Sequence, residues 1–166
     1  MQLTHYNTKF KRRTFPITVV CDGITDALNI GSLFRIADAF GVEKLILCGD
    51  NLTLGRKMTK SSRATEKSVS FELKTNAMEV INSFKDEGFE VFSLEITSKS
   101  DSIHNVRIDP KKRMVLVVGD ENFGISKDIL DVSDVVIHID MFGQNSSMNV
   151  VQATNIALYE ITRQYL

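Results

Sequence analysis

Residues 114–118 read Met-Val-Leu-Val-Val, apolar at every position. A run of strand length without polar alternation belongs to a strand buried on both faces. Such strands occur in parallel sheets sandwiched between helices, so this segment already restricts the architecture. Its neighbours agree. Residues 17–21 are mostly β-branched and end at Asp22-Gly23, a strand followed by a turn. Residues 44–48, 69–73, 89–94 and 135–139 read as further strands. Between them, Ile30, Leu33, Phe34, Ala37 and Phe40 recur at helical spacing over residues 28–40, stopped by Gly41. Helices are also expected over residues 76–87, closed by Gly88, over 125–130, and over 147–165 as the closing element. Residues 49–68 are polar and basic with weak periodicity, which predicts a long loop or a loop carrying short helical turns. The expected fold class is α/β, a mostly parallel sheet with helices on both faces.

The chain has 166 residues, 43% of them hydrophobic, enough for one compact core. With no internal repeat or linker, residues 15–166 are expected to form a single domain behind a basic arm of residues 1–14. The net charge is −1, so no global positive field draws the protein to nucleic acid. A nucleic-acid site must then be local. The candidates are Lys9, Lys11, Arg12 and Arg13 in the arm, and Arg56, Lys57, Lys60, Arg63 and Lys67 in the polar segment. Cys21 and Cys48 lack CxxC or Cys/His spacing, which argues against a disulfide framework and a structural zinc. No leader-like or membrane-spanning apolar run is present, giving the expectation of a soluble, cytoplasmic protein.

In an open parallel sheet, ligands bind beyond the carboxyl ends of the strands. Three loops there have unusual composition. The first opens a helix with Asn29-Ile30-Gly31-Ser32-Leu33-Phe34-Arg35. Arg35 is either an edge residue snorkelling to water or a phosphate-binding fork. The second is Gly119-Asp120-Glu121-Asn122-Phe123-Gly124, whose glycines allow close backbone approach while Glu121 offers a carboxylate. An ordinary tight turn with a surface glutamate reads equally well. The third runs from Met141 to Asn149, and its Ser146, Ser147 and Asn149 bring hydroxyl and amide groups to a helix start. N-capping by Ser146 or Ser147 explains one serine, though not the whole Gln-Asn-Ser-Ser-Met-Asn cluster. There is no GxGxxG after the first strand, no P-loop, no HExxH and no GxSxG. His138, in the apolar run before Asp140, reads as a strand residue rather than a ligand or base.

These three loops, in this order, resemble the motifs of the SpoU (TrmH-like) family of RNA ribose methyltransferases in the SPOUT superfamily. The matching stretches are NIGSLFRIADAFGVEKLIL (residues 29–47), LVVGDENFGIS (116–126) and IHIDMFGQNSSMNVVQATNIALYE (137–160). Residues 60–64 are similar to the family's connecting segment, so the likeness runs from Phe15 onward. Asp120 departs from a frequent Asn, and Met148 from the usual Leu.

The resemblance implies a carboxyl-terminal deep trefoil knot, a bent S-adenosyl-L-methionine against it, and a homodimer with each active site near the subunit interface. It implies a catalytic side made of Asn29, Arg35, Glu121, Ser147 and Asn149, with Leu94, Gly119, Ile139 and Met148 around the cofactor and no metal. The family is thought to activate the ribose 2′-hydroxyl with the arginine that corresponds to Arg35. Arginine's pKa above about 12 speaks against its acting as a base and for a phosphate grip that steadies developing alkoxide charge. Residues 1–14 are too few for the extra RNA-binding domain of several ribosomal-RNA members, so tRNA is the expected substrate, with rRNA as the alternative. Readings of a different kind are a non-catalytic RNA-binding protein on the same fold and a base methyltransferase of the same superfamily.

Overall fold

The computed structural model describes residues 10–166 except Asn51 and Ser146. In chain order the elements are β1 (Phe15–Asp22), α1 (Ala27–Ala39), β2 (Val42–Cys48), α2 (Arg56–Ser62), β3 (Phe71–Lys74), α3 (Ala77–Asp86), β4 (Glu90–Leu94), β5 (Asp101–Ser102), β6 (Met114–Gly119), α4 (Lys127–Val132), β7 (Val135–His138) and α5 (Val150–Gln164). The strands form one seven-stranded sheet in the order β3-β2-β1-β6-β4-β7-β5. Every neighbouring pair is parallel.

The unbroken apolar runs do what a doubly covered sheet requires. Successive side chains of a strand point to opposite faces. Ile17, Val19 and Cys21 of β1 and Met114, Leu116 and Val118 of β6 join one core with Leu33 and Phe34 of α1 and Leu158 and Ile161 of α5. The residues between them, Val20, Val115 and Val117, join a second core under Ala77 and Ile81 of α3 and Ile129 of α4. Phe34 is fully buried and meets Phe71 edge to face at 5.1 Å between ring centres. Such a pair contributes about 0.5–1.5 kcal/mol beyond its burial. Cys21 and Cys48 are free and buried, and removal from water pushes both thiols upward, Cys48 to about 12. Neither is a reactive thiolate.

The 49–68 segment carries short helical turns, one of its two expected forms: α2 and a single 3-10 turn at Thr65–Lys67, anchored by buried Met58. Several element boundaries differ from the sequence expectations. β3 starts at Phe71 rather than residue 69 because the Val69 N–H is taken by the Thr65 carbonyl. α4 begins at Lys127, two residues later than its apolar spacing suggests. α5 begins at Val150, not 147, because Asn149 caps it, its side chain accepting the Val151 N–H. Ser147 therefore does not cap, and Ser146 lies outside the described residues. The two-residue β5 is too short to carry a period in the sequence.

α1 and α5 lie side by side with the same polarity. Asn29 meets Asn149 where both begin, and Phe40 meets Tyr159 toward their other ends. Among the described residues no helix is long and apolar enough to cross a membrane.

Candidate active site

The motif-two loop is built by one aspartate. Asp120 leaves β6 with its N–H on the Asp22 carbonyl, and its own carbonyl accepts the Gly124 N–H at 2.8 Å, closing a small antiparallel bridge. Its carboxylate accepts the N–H groups of Asn122 at 2.8 Å and Phe123 at 3.3 Å. This local turn needs only an acceptor, which an asparagine oxygen also provides, so the departure at Asp120 is structurally neutral. Glu121, Asn122 and Phe123 are thereby held exposed at the tip. A Cβ on Gly119 would lie 2.3 Å from the Gly124 carbonyl carbon, and only glycine permits the bridge to close.

Asn29 sits in the first turn of α1, whose N-cap Asp26 accepts the N–H groups of Leu28 and Asn29. Asn149 stands at the start of α5. Its Nδ2 donates to Asn29 Oδ1 at 3.2 Å and to Glu121 Oε1, while its Oδ1 accepts the Val151 N–H at 2.9 Å. The structure thus joins one residue from each motif. Both amide hydrogens of Asn149 are committed in this arrangement. Among the described residues the Asn29 side-chain amide nitrogen and the second oxygen of Glu121 carry no hydrogen bond, and Ser147 lines the same cleft as Glu121.

Beside this cluster lies a cleft of about 460 Å³ beyond the carboxyl ends of β4, β6 and β7. Leu94, Gly119, Ile139 and Met148 all line it, together with Glu121 and Ser147. The size lies within the roughly 300–1,000 Å³ of small-molecule sites. Apolar walls beside three carboxylates, Glu95, Asp120 and Glu121, suit a ligand with a flat base and an ammonium group, as S-adenosylmethionine has. Arg35 stays apart. It is exposed, six residues beyond Asn29, and forms no side-chain hydrogen bond or ion pair among the described residues. At about 100° per residue it points roughly 120° away from Asn29. It lies outside the apolar face of α1, contrary to its apolar sequence neighbours.

Sequence reasoning missed Glu95. Its carboxylate accepts the Ile125 N–H at 3.1 Å and that of Ile96 at 3.0 Å, fastening the cleft's two sides together. Its position just after β4, at the ligand-binding edge, is the available signal. His138 does lie in β7, as expected of a strand residue, but it also lines the cleft, with Nδ1 3.0 Å from Ser100 Oγ.

The basic arm is partly engaged. Arg13 donates to the Tyr165 carbonyl at 3.0 Å and stacks over Phe15, whereas Lys11 and Arg12 are exposed and Lys9 lies outside the described residues. The second basic group is presented on α2 and the turn after it. Arg56, Lys57, Lys60, Arg63 and Lys67 are all exposed and free of ion pairs among the described residues. α2 is locked to the first turns of α1, with Ser61 Oγ donating to the Ala27 carbonyl. A Cβ on Gly31 would come within 2.5 Å of the Met58 carbonyl oxygen.

Comparison with known proteins identifies this arrangement. A model of the SpoU rRNA Methylase family matches residues 16–159. A Staphylococcus aureus (strain COL) protein named for the TrmH family of tRNA/rRNA methyltransferases is 32% identical over 147 residues, covering 88% of this chain and 58% of that protein. This chain therefore spans less than two thirds of that relative's length. The TrmH/SpoU tRNA-modifying enzyme of A. aeolicus superposes with a TM-score of 0.81 at 31% identity, covering 93% of this chain and 77% of that one. The SpoU methyltransferase AviRb from Streptomyces viridochromogenes, in complex with AdoMet, gives 0.80 at 27% identity, covering 93% and 62%. With the family model matched across nearly all of the folded chain, the protein belongs to the SpoU methylase family.

Proposed function

We propose that this chain is an S-adenosylmethionine-dependent methyltransferase that modifies a ribose 2′-hydroxyl of RNA, with tRNA as its substrate. The observation that carries the reading is the joining of Asn29, Glu121 and Asn149 at the edge of a cleft lined by Leu94, Gly119, Ile139 and Met148. Support also comes from the AdoMet complex of AviRb and from the tRNA-modifying relative of A. aeolicus.

When bound, the cofactor supplies an electrophilic methyl group on its sulfonium. The protein's part is placement, since a ribose hydroxyl is a poor nucleophile and gains most from in-line positioning. Asn149 serves as a positioning residue that fixes Asn29 and Glu121. The Asn29 amide and the Ser147 hydroxyl orient the ribose. Arg35, permanently charged, grips the neighbouring phosphate and steadies the developing alkoxide. Its separation from the cluster fits a ligand that extends along α1, or a site completed by a second subunit.

A homodimer is part of the proposal, supported by Leu28, Ile156 and Tyr159, which leave apolar surface exposed on the paired helices α1 and α5. So is the knot. β7 lies between β4 and β5, and α5 is held by the intervening segment, Gln164 bonding the backbone of Val106 and Ile108. Residues 15–166 act as one methyltransferase domain with the basic arm before it, in the cytoplasm where tRNA is processed.

The test incubates purified protein with labelled S-adenosylmethionine and total RNA from cells lacking the gene, then maps alkali-resistant positions. One resistant linkage in tRNA is expected. A resistant linkage in rRNA moves the substrate, label at an alkali-sensitive position makes the protein a base methyltransferase, and no label with no cofactor binding favours a non-catalytic RNA-binding protein.

A further inference from the structure

Phe123 and Phe142 are 90% and 95% exposed. A single exposed aromatic ring is ordinary. Two rings on separate loops beside one cleft are not. Phe123 itself lines the cleft, and Phe142 follows Met141, which also lines it. Phe123 is held outward, since the Asp120 carboxylate fixes the backbone of the loop that presents it. The cationic α2 is tied to the first turn of α1, the turn that carries Asn29, through Ser61 and Ala27.

We propose that Phe123 and Phe142 are stacking platforms for unpaired RNA bases next to the modified nucleotide, while the cations of α2 follow the phosphates of the same strand. This rests on the reading of the chain as an RNA-modifying enzyme and adds which form of RNA it grips. Stacking on aromatic faces and phosphate pairing are both tolerant of sequence, and together they select a single strand over a duplex, whose bases are already stacked. Contacts link these parts in sequence: α2 packs on α1 at Ala27 and Gly31, Asn29 of α1 is joined through Asn149 to Glu121, and Phe123 follows Glu121 by two residues on the cleft's rim. A strand laid along these parts would present one ribose to the cluster with its neighbouring bases unstacked.

The experiment uses the full chain and variants Phe123→Ala, Phe142→Ala, Phe123→Tyr and Phe123→Trp, with a labelled mixed-sequence single-stranded oligoribonucleotide and its duplex. Each alanine should weaken single-strand binding roughly tenfold, leave duplex binding unchanged, and preserve the sedimentation coefficient; tyrosine should restore affinity. The protein has no tryptophan, so Phe123→Trp provides a single tryptophan, excited apart from the tyrosines and expected to be quenched when the single strand binds. Unquenched emission with unchanged affinity in the alanine variants overturns the proposal. So does a changed sedimentation coefficient, which would make the rings a contact between copies of this chain. If the unsubstituted protein binds neither RNA, the RNA-modifying reading itself fails, whereas duplex binding alone leaves that reading standing and refutes the stacking.

Discussion

The Asn149 side-chain amide donates to Asn29 Oδ1 across 3.2 Å, joining residues 120 positions apart in the chain. The same side chain caps α5 through Val151. Structure and site thus share one residue, and the two duties are separable by substitution. Asn149→Ala removes both and should cost about 0.5–2 kcal/mol of stability through loss of the cap. Asn149→Asp keeps the capping oxygen, loses both donors, and sets a second carboxylate against Glu121. Both variants should lose at least tenfold in methyl transfer, with the melting temperature falling further in Asn149→Ala. Near-normal turnover by Asn149→Asp would show that the donors are dispensable.

Gly119→Ala tests the cleft floor. The added methyl would meet backbone atoms of Gly124 and Ile125 at 2.3–2.5 Å, and backbone cannot swing aside as a side chain does. Overpacking of this kind costs about 1–3 kcal/mol. Calorimetric titration with S-adenosylmethionine should show weakened binding alongside a lowered melting temperature; unaltered affinity would mean that the bridge at Asp120 and Gly124 is not needed for the cofactor.

Arg35→Lys retains the charge and removes the planar fork. If the guanidinium grips phosphate and steadies the alkoxide, turnover should fall at least tenfold while the melting temperature stays put, because the side chain is exposed and unpaired among the described residues. Steady-state kinetics at saturating RNA and cofactor check this.

Neutralising Lys57 and Lys60 on α2 should weaken RNA binding evenly across sequences. The dependence of log affinity on log salt concentration should flatten by roughly one unit for each phosphate that the protein no longer neutralises. A slope equal to that of the unsubstituted protein would remove α2 from the RNA path.

Asp134 gives a prediction in pH. Burial pushes its carboxyl up, but the Lys85 ammonium at 2.8 Å and the Val91 N–H at 2.8 Å outweigh this and hold it below the usual carboxylate range. A depressed acid stabilises the fold fully above its unfolded value of about 3.9 and ceases to do so as pH falls through the lower folded value. Asp134→Asn should therefore melt earlier than the unsubstituted protein at neutral pH, and the difference should vanish toward strong acid. Thermal melts recorded from neutral pH downward decide it.

The sheet is legible in the sequence because burial on both faces leaves runs such as residues 114–118 with no polar alternation, and their short length and valine content favour a strand over a buried helix. The three loops are legible because polar residues crowd where strands end. What the sequence withholds arises at longer range. Nothing local announces that the amide of Asn149 reaches Asn29, or that Glu95 fastens the loop 30 residues ahead of it. Local preference does not decide the cap of α5, since Ser147 and Asn149 are equally suited to it, and the bonds to Glu121 and Asn29 accompany the choice of Asn149. Arg35 looks embedded in an apolar run when only its neighbours are read, yet the helical rotation turns it outward.

Because Asn149 stands at the start of α5 while its partners lie on α1 and in the turn after β6, the three side chains meet only when segments far apart in the chain have docked. Local folding can set Asn29 on its helix and Glu121 on its turn, but neither then has its partner. The cluster is therefore a readout of the completed core, in which Leu158 and Ile161 of α5 pack with Leu33 and Phe34 of α1, and damage to that packing far from the cleft would loosen the cluster as surely as a substitution within it.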